Sequence, residues 1–123
     1  MNSILSLNEQ EHFNLNSPYI YLLSSQEEYQ RALTTEFLVR DSLESEGFIH
    51  ATPRNQLTRL ANKYHRKTIE SLILTVDTKR IKAPVKWEPA TGGLYPHIYG
   101  AVNIDAIIDV ESIALDIGGL YNI

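Results

Sequence analysis

The chain has 123 residues, 43% apolar and 21% charged, with a formal net charge of −4 and a pI near 5.5, the composition of one ordinary globular domain. It has no cysteine, which excludes disulfides, thiolate metal sites and cysteine nucleophiles and fits a cytoplasmic protein. No apolar run approaches the roughly 20 residues of a spanning helix, the first residues lack the basic-then-apolar pattern expected of a secretory signal, and the acidic balance argues against a nucleic-acid partner.

Residues 1–17 are polar and weakly patterned apart from Ile4, Leu5 and Leu7. They read as an N-terminal extension, with His12 a solvated bystander, ahead of a single domain spanning 18–123. Pro18 opens the β-favouring run Tyr19–Leu23, a buried strand. Ser25-Gln26-Glu27-Glu28 matches a capping box, in which each side chain satisfies the other residue's backbone amide, and predicts a helix from about 26 to 34. The acidic segment Arg40–Glu46 reads as a polar loop, with a mobile cover over a pocket as the alternative. Gly47–Ala51 is a second strand candidate.

Thr52-Pro53 pairs a hydroxyl N-cap with Pro at the first helical position. Leu57, Leu60, Ala61 and Tyr64 then form one apolar stripe at helical spacing. That start would put His50 beside a helix N-terminus, where an anion such as phosphate is favoured. The cations Lys63, His65, Arg66 and Lys67 close the helix. They suit its C-terminal carbonyls, with a phosphate-binding edge as the alternative.

Ser71–Asp77 is nearly continuous in apolar residues and reads as a central strand. A basic turn with Lys79, Arg80 and Lys82 leads through Pro84 to Val85-Lys86-Trp87-Glu88, bounded by Pro89. Strand alternation puts Lys86 and Glu88 on one face, Val85 and Trp87 on the other. With Trp87 in the core, Glu88 faces solvent or a cleft. After the Thr91-Gly92-Gly93 turn, an extended Leu94–Gly100 lines up Tyr95, His97 and Tyr99 on one side. Ile104–Leu115 holds one or two strands, with a break near Asp109 or Glu111, and Gly118-Gly119 releases a short tail. The order strand, helix, strand, helix and then three strands predicts an α+β fold around a bent, mostly antiparallel sheet.

The stretch Val85–Ala101 gathers the single Trp with a Glu, Tyr, His, Tyr series, a concentration that marks a pocket wall. A metal site from His50, His97 and Glu88 has suitable ligand types but no metal-binding spacing, so no metal is expected. No GxSxG, P-loop or Rossmann glycine pattern is present. The remaining set, His50, Glu88 and His97, suits a phosphorylated, aromatic-containing ligand. A carboxylate such as Glu88 stabilises charge at an oxocarbenium-like transition state. Each residue has a plainer alternative: a core hydrogen bond for His50, an ion pair for Glu88, a brace for the turn at His97.

Three motifs, Glu46-Gly47-Phe48-Ile49-His50, Lys86-Trp87-Glu88 with Gly92-Gly93, and Pro96-His97-Ile98-Tyr99-Gly100, resemble the domain-of-unknown-function 952 family over about residues 19–115. That family looks like a small, divergent group with an ADP-ribosyltransferase-like fold. The resemblance implies a bent, split, mostly antiparallel β-sheet with two short helices, clasping a nicotinamide dinucleotide. It implies a cleft bordered by His50, Glu88, His97 and Tyr99, with Glu88 in the catalytic position and His50, Thr52, Tyr95, His97 and Tyr99 as ligand-binding residues. NAD is then the expected substrate, and glycosyl transfer from NAD or its hydrolysis the expected reaction. Two positions depart from the family pattern. Leu22 stands on the first strand where relatives often carry His, removing a ribose contact, and Ala51-Thr52 stands where Cys-Ser is frequent. The competing expectations are a non-catalytic ligand-binding module of the same fold, and an enzyme acting on another phosphorylated ligand such as an RNA end.

Overall fold

The structure is a computed structural model and describes residues 17–64, 70–116, 118–121 and 123. The extension through residue 16 lies outside the described residues, as do His65, Arg66 and Lys67 of the basic cluster.

The elements run β1 (Tyr19–Ser24), α1 (Gln26–Thr35), β2 (Phe37–Leu38), α2 (Ser42–Ser45) and β3 (Ile49–His50). A 3-10 turn at Arg54–Gln56 leads into α3 (Leu57–Tyr64), then β4 (Glu70–Asp77), β5 (Val85–Ala90), β6 (Gly93–Ile98) and β7 (Val102–Asn103). A second 3-10 turn, Ile104–Ala106, precedes β8 (Ile107–Ala114). This is a mixed α+β chain with few short helices. Every strand pairing among the described residues is antiparallel. Among the described residues the ladders are three: β1-β4-β8, β2-β7 and β3-β6-β5.

The middle strand of the first ladder, β4, is buried on both faces between the two cores, which explains why it reads as an unbroken apolar run. Ile20 and Leu22 of β1 and Leu72, Leu74 and Val76 of β4 pack into one core with Ala32, Leu38, Ile49, Ile98 and Val102. Leu23 and Ile73 face the other way, into a second core with Leu57 and Ala61 of α3, Ile113 and Tyr121. Leu22 is therefore fully buried in the first core. Tyr121 pins the end of the chain to α3: the Asn62 side chain donates to its carbonyl and accepts from its N–H at 3.1 and 2.7 Å.

Several local expectations change for a physical reason. Ser25 caps α1 by accepting from the Glu28 N–H at 3.1 Å, but Glu28 does not return the bond. Its carboxylate is taken by Arg40, which donates from Nε and Nη2 at 2.8 Å each. Burial pushes the Glu28 carboxyl up, but the hydrogen bond and charge of Arg40 outweigh it and hold the group below the ordinary 4.5. A group lowered in the folded state adds stability above its unfolded value and loses it as pH falls. Glu28→Gln is therefore expected to cost about 1–2 kcal/mol at pH 7, with the difference from the parent shrinking below pH 4.5. Urea titrations at pH 7 and pH 3.5 check this.

The Arg40–Glu46 segment contains one helical turn, α2. Thr52 does not cap α3. Its N–H and C=O both pair with Tyr21, at 2.8 and 2.9 Å, a single bridge joining the first and third ladders. That bridge holds the chain extended through Pro53, and the helix starts later, through the 3-10 turn. His50 thus stands seven residues before α3 rather than directly before its first turn. β5 continues through Pro89; as an edge strand of its ladder it tolerates a residue with no N–H to pair. β8 is a single strand, its irregularity lying opposite Thr75 and Val76, between Ile107 and Asp109.

Candidate functional site

A cleft of about 430 Å³ opens where the first and third ladders meet under α3. Leu23 comes from β1, Arg40 from the loop after β2, and Arg59, Leu60 and Lys63 from α3. His50, Ala51, Thr52, Ala90, Thr91, Tyr95 and His97 come from the third ladder and its continuation. Three of these residues are lysine or arginine, two are histidine and none is a carboxylate. Such a wall favours an anionic ligand.

Alternation along β5 and β6 builds the polar wall. Glu88 lies opposite Tyr95 and Lys86 opposite His97, so all four share a face, as side-chain alternation requires. Val85 and the half-buried Trp87 pack on the first core. On the far side of β6, His50 of β3 pairs with His97, and the two rings stand 5.2 Å apart, edge to face.

His97 is the best-held of these groups. Its side chain is 8% exposed, and Phe48 stacks on its ring at 4.1 Å. Its Nδ1 lies 2.7 Å from Glu88 Oε1. An ionised carboxylate only accepts, so Nδ1 carries the hydrogen, and in the neutral ring Nε2 is then the acceptor. Tyr99 donates its hydroxyl to the same Glu88 oxygen at 2.5 Å, and Lys86 Nζ sits 4.9 Å over the Tyr99 ring. The Tyr99 and His97 hydrogen bonds hold the Glu88 carboxyl below the carboxylate range; the Glu88 bond in turn pushes the Tyr99 hydroxyl up. Tyr99→Phe is expected to return the Glu88 titration toward 4.5, followed by carboxyl carbon chemical shifts against pH. An unmoved titration would mean that the hydroxyl does not reach the carboxylate.

His50 is the exposed counterpart. Its side chain is 54% accessible, with Nε2 3.1 Å from Glu46 Oε2.

Arg59 closes one end of the cleft. It donates to the Gln56 side chain at 2.7 Å, to the Thr91 carbonyl at 3.2 Å and to the Tyr95 hydroxyl, which itself donates to the Thr91 carbonyl at 2.8 Å. The turn it grips needs Gly92. Its φ is +99°, and a Cβ there would stand 2.9 Å from the guanidinium and 3.0 Å from the Tyr95 hydroxyl.

Of the residues expected at the site, His50, Thr52, Tyr95 and His97 line the cleft. Glu88 and Tyr99 do not: Glu88 bonds to the cleft-lining ring of His97, and Tyr99 bonds to Glu88. The first strand presents Leu23 to the cleft, because Leu22 points into the core. Arg40, Arg59 and Thr91 were not anticipated. Arg59 carries a sequence signal, as a cation on the polar side of an amphipathic helix. Arg40 is the single cation in an otherwise acidic segment. Lys63 belongs to the basic group read as a helix end or a phosphate-binding edge. Among the described residues, no three His, Asp or Glu side chains gather closely enough to hold a metal ion, so His50, His97 and Glu88 form no such cluster. No helix among them is long and apolar enough to cross a membrane.

The fold is shared with solved structures of protein CC0527 from Caulobacter crescentus. A crystal structure of it superposes with a TM-score of 0.76 at 24% identity, covering 85% of this chain and 93% of that one. The solution NMR structure gives a TM-score of 0.72 over 85% and 91%, also at 24% identity. No curated protein matches the chain. A family profile described as "Protein of unknown function (DUF952)" matches residues 23–110. With 88 consecutive residues matched, more than half its length, the chain belongs to the DUF952 family.

Proposed function

We propose that the cleft binds NAD or a related nucleotide through its phosphate groups, on a fold of the ADP-ribosyltransferase type. The observation that carries the reading is the cleft wall: Arg40, Arg59, Lys63, His50 and His97 with no carboxylate among the lining residues. Its volume of about 430 Å³ falls in the lower part of the range that buries a small-molecule ligand, roughly 300–1,000 Å³. Arg40 is compensated by Glu28, so Arg59 is the lining cation best disposed to meet a phosphate with a planar, forked donor set. Tyr95 and the His97–Phe48 stack offer aromatic surface beside it.

In this reading Glu88 acts through His97. It fixes the imidazole tautomer and stabilises the imidazolium that forms when Nε2 takes a proton, so its part is to support proton transfer by the ring rather than to meet the sugar directly. The alternative of a non-catalytic binding module is separated by one assay, nicotinamide release from NAD.

Binding is tested by thermal shift and by NMR titration with NAD, ADP-ribose and nicotinamide. The expected result is that NAD and ADP-ribose perturb His97, Arg59 and Tyr95 and raise the melting temperature, while nicotinamide alone has little effect. Absence of any response to NAD and ADP-ribose sinks the proposal.

A further inference from the structure

Two histidines line the cleft from neighbouring strands, with ring centroids 5.2 Å apart, and each meets a carboxylate outside the lining: His97 meets Glu88 and His50 meets Glu46. A single carboxylate-backed histidine moves one proton at a time. Two of them side by side, against a wall of cations, match a reaction in which one oxygen on a phosphorus loses a proton while another gains one. We infer that this cleft opens a small cyclic phosphodiester of a ribonucleotide by hydrolysis, with His97 as the base and His50 as the acid. The inference rests on the reading above only in requiring that the cleft take a nucleotide phosphate; it adds the bond that reacts and the groups that move protons.

The two histidines are not interchangeable. His97 is buried and gives its Nδ1 hydrogen to Glu88, which leaves Nε2 as an acceptor in a cleft-lining ring. When Nε2 takes a proton, the resulting cation is already paired with Glu88. His50 is open to solvent with its Nε2 3.1 Å from Glu46 Oε2, so water can reload it with a proton after each turnover. Arg59 and Lys63 stand on the helix side of the same cleft, where they can take the non-bridging phosphate oxygens.

The step balances without any further reactant. A water gives one proton to His97 Nε2, and its oxygen bonds to phosphorus. The bond from phosphorus to the ribose 2′ oxygen breaks, and that oxygen takes a proton from the His50 imidazolium. The product is a 3′-phosphomonoester with a free 2′-hydroxyl. One proton has passed in effect from His50 to His97, and exchange with solvent restores both. The cleft volume of about 430 Å³ points to a single nucleotide as substrate, and the net charge of −4 disfavours a long polyanion.

The probe is 2′,3′-cyclic AMP, with ring opening followed by phosphorus NMR between pH 5 and 8, and AMP binding followed by chemical shifts on the same samples. The expected result is turnover with a bell-shaped pH profile. His97→Gln should lower the rate about 10²–10⁴-fold and remove the acid-side limb; His50→Gln should lower it comparably and remove the alkaline-side limb. Because His97 is buried, its variant is compared with the parent by thermal melting. Should it unfold, the exposed His50 variant carries the test alone. AMP binding without ring opening at any pH overturns the acid–base assignment and leaves the binding proposal standing. Absence of both AMP and cyclic AMP binding overturns both, and undiminished turnover in the His50 variant overturns the pairing.

Discussion

Leu74→Ala is expected to cost about 3 kcal/mol of folding stability and to lower the melting temperature by roughly 10–15 °C. Leu74 sits on β4, the middle strand of the first ladder, and is fully buried. It packs in the core that also receives Leu22, Ile49, Ile98 and Val102, residues of four other strands. Truncation there loses the transfer free energy of the removed carbons and leaves a cavity that rigid strands on both sides cannot fill. The control is Val110, which pairs with Leu74 across the ladder but is 37% exposed. Val110→Ala is expected to cost less than about 1 kcal/mol. Chemical denaturation of both variants decides it: equal losses would mean that this ladder is not buried on the face described.

Arg59→Met is expected to weaken ADP-ribose binding about 30-fold, about 2 kcal/mol, while keeping an unbranched apolar stem at that position. The guanidinium crosses the end of the cleft with its donors already directed at Thr91 and Tyr95, so little orientation remains to be lost when a phosphate arrives. Arg59→Lys should recover only part of the affinity, because an ammonium lacks the fork that meets two oxygens at once. The parent's affinity should fall as salt is raised, and the Met variant's dependence on salt should be shallower. Isothermal titration at two ionic strengths measures all three. An Arg59→Met variant that binds as tightly as the parent would place the phosphate elsewhere in the cleft.

How far the sequence led is clearest residue by residue. Alternation in Val85–Glu88 put Lys86 and Glu88 on one face and Trp87 on the other, and the β5–β6 register bears this out. A local period suffices there because both strands are regular and joined by a tight Gly-Gly turn. Thr52-Pro53 misled for the opposite reason. A hydroxyl before a proline is a helix-start signal only if the residue's backbone is unpaired, and here Tyr21, 31 positions earlier, takes both of its backbone groups. The Ser25–Glu28 box was half right: the serine caps, but a guanidinium from beyond β2 outbids the local amide for the glutamate. The two-residue strands β2 and β7 were invisible, since two residues carry no period.

The sequence by itself determined the class of the protein: an antiparallel α+β chain, its amphipathic helix, its central apolar strand, and the membership that the Gly47–His50, Trp87–Glu88 and Pro96–Gly100 motifs announce. These depend on short-range periodicity and on residue types that tolerate few alternatives. Only the tertiary structure decided which side chains share a cleft. It turned Leu22 into the core and Leu23 toward the cleft, drew Arg40 and Arg59 in from separate elements, and bonded Glu88 to the cleft-lining ring of His97. Those relations follow from ladder order and from one bridge between ladders. They are contacts between residues far apart along the chain, and no local pattern of residues encodes them.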